Sequence, residues 1–181
     1  MNDRAFGDIL IRDAADNDMA AIREIYAYQV HHGVSSWEEE SPSLAEMISR
    51  RQAIVATGYP FRVAVRGGKV VGYAYASAYR PRPAYRYTVE NSVYVAEHAQ
   101  RSGVGRYLLE DLIEVCTKMN FRQMIAVIGD SANAMSIDFH AKMGFRKIGV
   151  INSIGFKFDR WLDSVIMQLP LGDGDGSPPT Q

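Results

Sequence analysis

The sequence predicts an α/β (α+β mixed) fold, a mixed sheet with helices on its faces. Three observations lead there. Apolar and β-branched runs alternate with stretches whose apolar residues recur at helical spacing. Two such runs, in "FRVAVRGGKVVGYAYASAY", flank Gly67-Gly68 and read as a hairpin. A third stretch, "VYVAEHAQRSGVGRYLLEDLIE", passes from an extended segment through a polar turn with two glycines into a helix.

The elements follow in order. Residues 8–12 read as a short first strand. Asp16 can cap a helix whose apolar positions are Met19, Ile22, Ile25, Tyr26 and Val30. Ser43 with Glu46 forms a capping-box pattern that opens a second helix through Leu44, Met47 and Ile48. After the hairpin, "YTVENSVYV" is a strand. Val104 to Met119 is a helix with an apolar stripe at Val104, Leu108, Leu112, Val115 and Met119. "QMIAVI" is a short buried strand, and a helix from about Ala132 to Met143 ends at Gly144. "FRKIGVI" and "DSVIMQL" close as strands, with "GFKFDRW" read as the loop between them. The order is β-α-α-β-β-β-α-β-α-β-β. Residues 1–171 make a single domain. The Gly, Asp and Pro content of "GDGDGSPPTQ", residues 172–181, cannot bury a core and predicts a flexible tail.

Composition bounds the function. The 181 residues suit one domain, at roughly 100–200 residues each, and 47% hydrophobic content suffices for one core. A formal net charge of -1 gives no electrostatic footprint for nucleic acid or an anionic membrane. No apolar run approaches the roughly 20 residues that cross a bilayer. The N-terminal "MNDRAFGDILIRDAADND" lacks the layout of a signal peptide. The lone cysteine, Cys116, excludes an internal disulfide and a cysteine-cluster zinc site. A reducing, cytoplasmic compartment is the simplest reading. His31-His32 has no partner at metal spacing and reads as a helix end. Cys116, Met47, Met119 and Met124 read as core.

The glycine turn holds the chemistry. Gln100, Arg101, Ser102, Gly103, Val104 and Gly105 lie between strand and helix. Glycines let the backbone approach a ligand, and the helix start presents unpaired N–H groups and partial positive charge. Arg101 and Arg106 add full charges, so the turn suits a diphosphate. A dinucleotide fingerprint would need a third glycine where Leu108 stands, and a P-loop would need Gly-Lys-Ser/Thr. A tight connection without a ligand is the alternative. Further on, "NAMSIDFHAKMGF" places Asn133, Ser136 and His140 at i, i+3 and i+7, on one helix face. A merely solvated face is the alternative there.

Taken together, these two motifs resemble the GCN5-related N-acetyltransferases (GNAT superfamily). In them a Gln/Arg-x-x-Gly-x-Gly/Ala turn binds the pyrophosphate of acetyl-CoA, and the second motif is Asn-x-x-Ala-x-x-x-Tyr-x-x-x-Gly-Phe. His140 occupies the tyrosine slot. The resemblance narrows at "RPRPAYRYTVENSVYV", "VSSWEEESPS" and "GFKFDRWLDSVIMQ", which look like the phosphinothricin and methionine sulfoximine acetyltransferase subfamily, where histidine also fills that slot. The likeness runs over about residues 8–171.

The resemblance implies a GNAT fold, a central, mostly antiparallel twisted sheet flanked by helices. It implies acetyl-CoA as co-substrate and no metal. The pyrophosphate would lie on the turn Gln100 to Arg106, and the pantetheine arm along Val93 and Val95, with Asn133 and Ser136 beside it. A bulge at Tyr94 to Val95 would free a backbone N–H for the thioester oxygen. Trp37, Arg80, Arg82, Tyr85 and Tyr94 match substrate positions, and a homodimer is implied. The aromatic-rich "GYAYASAYR" and "GFKFDRW" agree with a subunit contact.

Amine acetylation needs an unprotonated nucleophile, and an α-amino group has a pKa of roughly 7.7–8.0. Glu90, in the strand between Val89 and Val93, is the candidate base; a surface glutamate is the alternative. His140 can donate a proton to the departing thiolate, against a structural histidine. Arg80 and Arg82 suit a zwitterionic acceptor's carboxylate, against a proline-stiffened solvated loop. The expected activity is acetyl-CoA-dependent N-acetylation of the α-amino group of a small amino-acid analogue, by direct attack on the thioester. A protein-directed or other amine acetyltransferase, or a non-catalytic acyl-CoA-binding module, are the alternatives. The Arg80/Arg82 cluster and Trp37 favour a closed pocket, and a module need keep neither Glu90 nor His140.

Overall fold

The computed structural model describes residues 3–179. Among them, eight strands form one sheet. These are β1 (Arg4–Phe6), β2 (Ile9–Asp13), β3 (Phe61–Arg66), β4 (Lys69–Ala78), β5 (Thr88–Val95), β6 (Gln123–Gly129), β7 (Arg146–Lys157) and β8 (Arg160–Pro170). Their order is β1-β2-β3-β4-β5-β6-β8-β7. Every neighbouring pair is antiparallel except β5 and β6, which are parallel. The helices are α1 (Met19–His32), α2 (Leu44–Ala56), α3 (Val104–Lys118) and α4 (Ala134–Lys142). Side chains alternate across a strand. Tyr73 meets Tyr94 on the α1 side, while its neighbour Gly72 lies under Val104 and Leu108 of α3. The expected mixed, mostly antiparallel sheet with helices on its faces is the fold found.

Local chemistry explains the elements. Gly67 and Gly68 both take left-handed φ (55° and 77°), which a two-residue hairpin turn demands. The Ser43 hydroxyl accepts the Glu46 N–H at 3.1 Å and starts α2. The start of α1 differs from expectation. Asp16–Asp18 form a short 3-10 turn, and Asp18 accepts the Ala15 N–H while pairing with Arg12. Leu108, Leu109 and Leu112 of α3 are fully buried against the sheet. One ion pair is buried beside them: Arg62 Nε on β3 donates to the Asp111 carboxylate on α3 at 2.8 Å, and Arg62 also reaches Asp13.

Four further readings change. A strand, β1, precedes the expected first one and pairs with it. β7 and β8 run further than predicted, because their turn at Phe158-Asp159 is left-handed (φ 53° and 54°) without glycine; "GFKFDRW" is the tip of that hairpin. Met119 is exposed at the end of α3, whereas Met47 and Met124 are core. Cys116 is buried, and burial pushes its thiol up to about 12. Residues 172–178, within the expected tail, make contacts with the domain: Gly174 N–H donates to Leu171 O, and Arg122 donates to Ser177 Oγ and the Pro178 carbonyl.

The feature that makes the site is a gap. β5 and β6 pair only at Thr88↔Gln123, Val89↔Met124 and Glu90↔Ile125. Beyond Glu90 the two strands continue, to Val95 and Gly129, without pairing each other.

Candidate active site

The diverging strands open a cleft of about 230 Å³ whose apex is Glu90, the last paired residue of β5. What β5 offers the gap follows from hydrogen-bond phase. Ala96 N–H donates to Val71 O and Tyr79 N–H to Thr88 O, so even-numbered residues of β5 spend their main-chain groups on β4. The N–H and C=O of Val93 and Val95 therefore face the gap. The predicted bulge at Tyr94 to Val95 is absent. The register with β4 runs unbroken from Gly72↔Val95 to Ala78↔Val89, and the Tyr94 N–H faces β4. The free main-chain donors arise because β6 turns away.

Glu90 is half-buried, and burial holds its carboxyl above the ordinary carboxylate value. Among the described residues its carboxylate has no hydrogen-bond or ion-pair partner, so it is open to a ligand. Tyr94 shares its face of β5, stacks on Tyr73 (ring centroids 5.0 Å apart) and meets Tyr26 edge-on. Burial pushes its phenol well above the ordinary range, so it stays protonated and can donate. Trp37, from the loop after α1, closes the same side.

His140 comes from α4 on the other face. Its Nδ1–H donates to the Ser136 carbonyl at 2.8 Å, while Nε2 lies 3.2 Å from the Asn91 side-chain oxygen. The Asn91 amide is oriented by its own N–H, which donates to Ile125 O at 3.0 Å. Burial holds His140 below its ordinary value. The Asn91 oxygen works the other way, because only a proton on Nε2 turns that contact into a hydrogen bond.

A groove of about 570 Å³ continues from the cleft to the start of α3. Gly103 precedes this 15-residue helix with φ 88°, a left-handed conformation that suits glycine, and no side chain caps the helix. The helical ladder starts with Tyr107 N–H to Gly103 O, leaving the N–H groups of Val104, Gly105 and Arg106 for a ligand. Arg101 is itself left-handed (φ 58°), a strained state often kept at binding loops. Gln100, Arg101, Gly103, Gly105 and Arg106 line this groove, with Val93, Val95, Asn133 and Ser136 further along it. Orphan N–H donors and two arginines fit a diphosphate, and unpaired β5 main chain fits an amide-bearing arm.

Not every expected residue is there. The Val104 side chain is core, so it offers only its N–H. Ser102 Oγ donates to Ala99 O and accepts from Arg66. Asn133 caps α4, accepting the Ser136 N–H and donating to Gly129 O, which leaves one amide hydrogen free. Arg80, Arg82 and Tyr85 sit exposed on the loop between β4 and β5, outside the cleft lining. The cleft lining itself holds no lysine or arginine. Sequence reasoning missed Asn91, the one polar residue in the otherwise apolar alternation of Val89, Val93 and Val95, and that break was its available signal. It also missed Phe139 and Lys142 of the groove. Among the described residues, no three His, Cys, Asp or Glu side chains are placed to hold a metal, and no helix is long and apolar enough to cross a membrane.

Splayed parallel strands beside an uncapped, glycine-led helix give a mixed α/β protein a cleft that suits a diphosphate-bearing co-substrate with an extended amide arm. The family model described as Acetyltransferase (GNAT) domain matches residues 11–166, and the chain belongs to that family, with acetyl-CoA as its co-substrate. Among its relatives is a phosphinothricin N-acetyltransferase of Alcaligenes faecalis, 49% identical over 93% of this chain and 86% of the relative. An L-methionine sulfoximine/L-methionine sulfone acetyltransferase of Salmonella typhimurium is 39% identical over 90% and 95% of the two chains. A phosphinothricin acetyltransferase from Sinorhizobium meliloti, solved in complex with AcCoA, superposes with a TM-score of 0.93 at 46% identity, covering 96% and 94%.

Proposed function

We propose that the protein acetylates the α-amino group of a small amino-acid analogue of the phosphinothricin, methionine sulfoximine or methionine sulfone type. The observation that carries this is an unpartnered, half-buried Glu90 at the apex of a small cleft continuous with the acetyl-CoA groove. The co-substrate supplies an activated acetyl thioester. Glu90, held above the ordinary carboxylate range by burial, accepts the amine's proton directly or through a water. The N–H of Val93 or Val95 donates to the thioester oxygen as it gains charge. Nitrogen bonds the acetyl carbon, the carbon–sulfur bond breaks, and the leaving sulfur receives a proton from His140 or from water. Trp37 and Tyr94 flank the acceptor. Because the cleft lining carries no cation, Arg80 and Arg82 of the β4–β5 loop meet the acceptor's carboxylate from the rim.

The active form is a homodimer. Ile148, Ile151, Ile154, Phe156, Phe158 and Trp161 are about half exposed or more, all on the β7–β8 hairpin, and β7 is an edge strand of 12 residues. Such an apolar edge invites a second copy. Light scattering should give about twice the 20.2 kDa chain mass; the single-chain mass would overturn the dimer.

The testing experiment is acetyl-CoA-dependent thiol release against methionine sulfoximine, methionine sulfone, phosphinothricin, ordinary amino acids, a polyamine and a peptide. Release with the first three is the expected result. Release confined to the peptide or polyamine would overturn the acceptor class.

A further inference from the structure

The wall that carries Trp37 is held from a distant part of the chain. Residues 33–37 follow α1 without regular structure and supply Val34, Ser35 and Trp37 to the cleft. Two grips fix them, and both come from strands of the sheet's far half.

The first grip is Lys157, at the end of β7. Its Nζ donates to the carbonyls of Val30 (2.7 Å), Gly33 (3.1 Å) and Ser36 (2.7 Å). An ammonium has three donors, and all three are used on main-chain oxygens. They belong to the last turn of α1 and the loop after it, where a helix leaves carbonyls unpaired and carries the negative end of its dipole. Lys157 is 4% exposed, and among the described residues no carboxylate forms an ion pair with it. A buried lysine with all three donors on backbone, and the Phe158 ring 4.8 Å from its nitrogen, acts as a three-way pin.

The second grip is absence of side chain. The Trp37 indole lies against Gly155 of β7 and Gly129 of β6. A Cβ on Gly155 would stand 2.5 Å from Cζ3 and 2.6 Å from Cε3 of the ring. A Cβ on Gly129 would strike Nε1 and come within 2.7 Å of the Val34 carbonyl. Neither glycine has a left-handed φ, so what matters is room, not backbone conformation. Gly155 and Lys157 are two apart and share one face of the hairpin, while Phe156 between them points outward.

We propose that Gly155 and Lys157 are positioning residues for the acceptor, acting through Trp37 and the backbone of residues 33–36. This rests on reading the cleft as the acceptor site. The hairpin tip thereby sets the fit of a ligand that it does not touch.

The test uses the fact that Trp37 and Trp161 are the two tryptophans of the chain. In a Trp161→Phe background, Gly155→Ala should shift the Trp37 emission. It should raise the acceptor KM about tenfold or more while the acetyl-CoA KM stays within about twofold. In a Trp37→Ala background, adding Gly155→Ala should change the acceptor KM by less than about twofold. Lys157→Met should repeat the split between the two KM values. Unchanged emission and acceptor KM in Gly155→Ala would overturn the proposal, as would an effect that persists without Trp37. The emission readout needs no acceptor. If no amino-acid analogue is turned over, the acceptor class has failed, while a shift in emission still supports the grip on Trp37 and its absence still overturns it.

Discussion

The two walls of the cleft are made of different material. The wall proposed for the co-substrate is main chain. The gap-facing groups of Val93 and Val95 and the first N–H groups of α3 come from one run of 14 residues, 93–106, and need only local conformation. The wall proposed for the acceptor is side chain and packing. Trp37 stands there because Gly129 and Gly155 leave room and because Lys157 reaches carbonyls 121 to 127 residues earlier in the chain. A wall of backbone can be written in a short motif. A wall of packing exists only once distant elements have met, so variation there can change the acceptor without disturbing the co-substrate.

Glu90 stands at the apex of the cleft, where β5 and β6 part, so its loss should remove the chemistry and leave both walls in place. Glu90→Gln should lower kcat by about 10²–10⁴-fold with both KM values nearly unchanged, measured by steady-state kinetics. The pH dependence has a fixed sign. As the proposed base Glu90 must be ionised, and burial raises its pKa, so kcat/KM should fall as pH drops through a value above the ordinary 4.5. That limb should vanish in the variant. The same burial makes the ionised folded state costly: stability is full below the unfolded pKa and falls as pH rises through the raised folded one. Glu90→Gln should therefore melt at pH 7.5 no lower than the parent. A clearly lower Tm would contradict a strained, unpaired carboxylate.

The next effect is on the footing of the co-substrate wall. Asp111→Ala takes one of two carboxylates from the buried Arg62 guanidinium, which keeps Asp13, so it should cost about 1–3 kcal/mol and lower Tm by roughly 5 °C in a thermal melt. A fall below about 2 °C would mean that the leucine face of α3 suffices alone. Smaller again is Gly103→Ala. A side chain at φ 88° costs about 1–2 kcal/mol, and the turn can relieve that strain by leaving the conformation that aims its N–H groups, so calorimetry should show acetyl-CoA bound up to about tenfold more weakly while the acceptor KM stays within about twofold. Equal loss for both ligands would erase the distinction between the walls. The smallest effect is Arg82→Ala. An exposed cation contributes about 0.2–1 kcal/mol, so the acceptor KM should rise about fivefold or less, and the rise should shrink with salt.

The same contrast explains what could be read from the sequence. The Gly67-Gly68 hairpin, the Ser43 cap and the apolar stripe of α3 are local signals, and each element forms where the pattern places it. Trp37, Glu90, Tyr94 and His140 were named from motifs, and all four line one cleft. What escaped depends on tertiary contact or on atypical backbone. Phe158-Asp159 turns left-handed without the glycine or asparagine that announces such a turn, so the full length of β7 and β8 was hidden. Lys157 resembles a surface lysine until α1 docks against it. The source of the free main-chain donors is not legible in the sequence, because a bulge and a missing neighbour strand produce the same unpaired N–H, and only the register separates them.

That missing neighbour has one more consequence. From Val93 to Val95, β5 is a sheet edge turned inward, an unfinished seam in the middle of the sheet. A bound acyl donor that pairs with the seam completes the sheet, much as an added strand would. A ligand that binds only the native state at 100 times its Kd adds about 2.7 kcal/mol to stability. The donor is then a part of the fold as well as a reactant, and the melting temperature should climb with the concentration of the metabolite that the protein consumes.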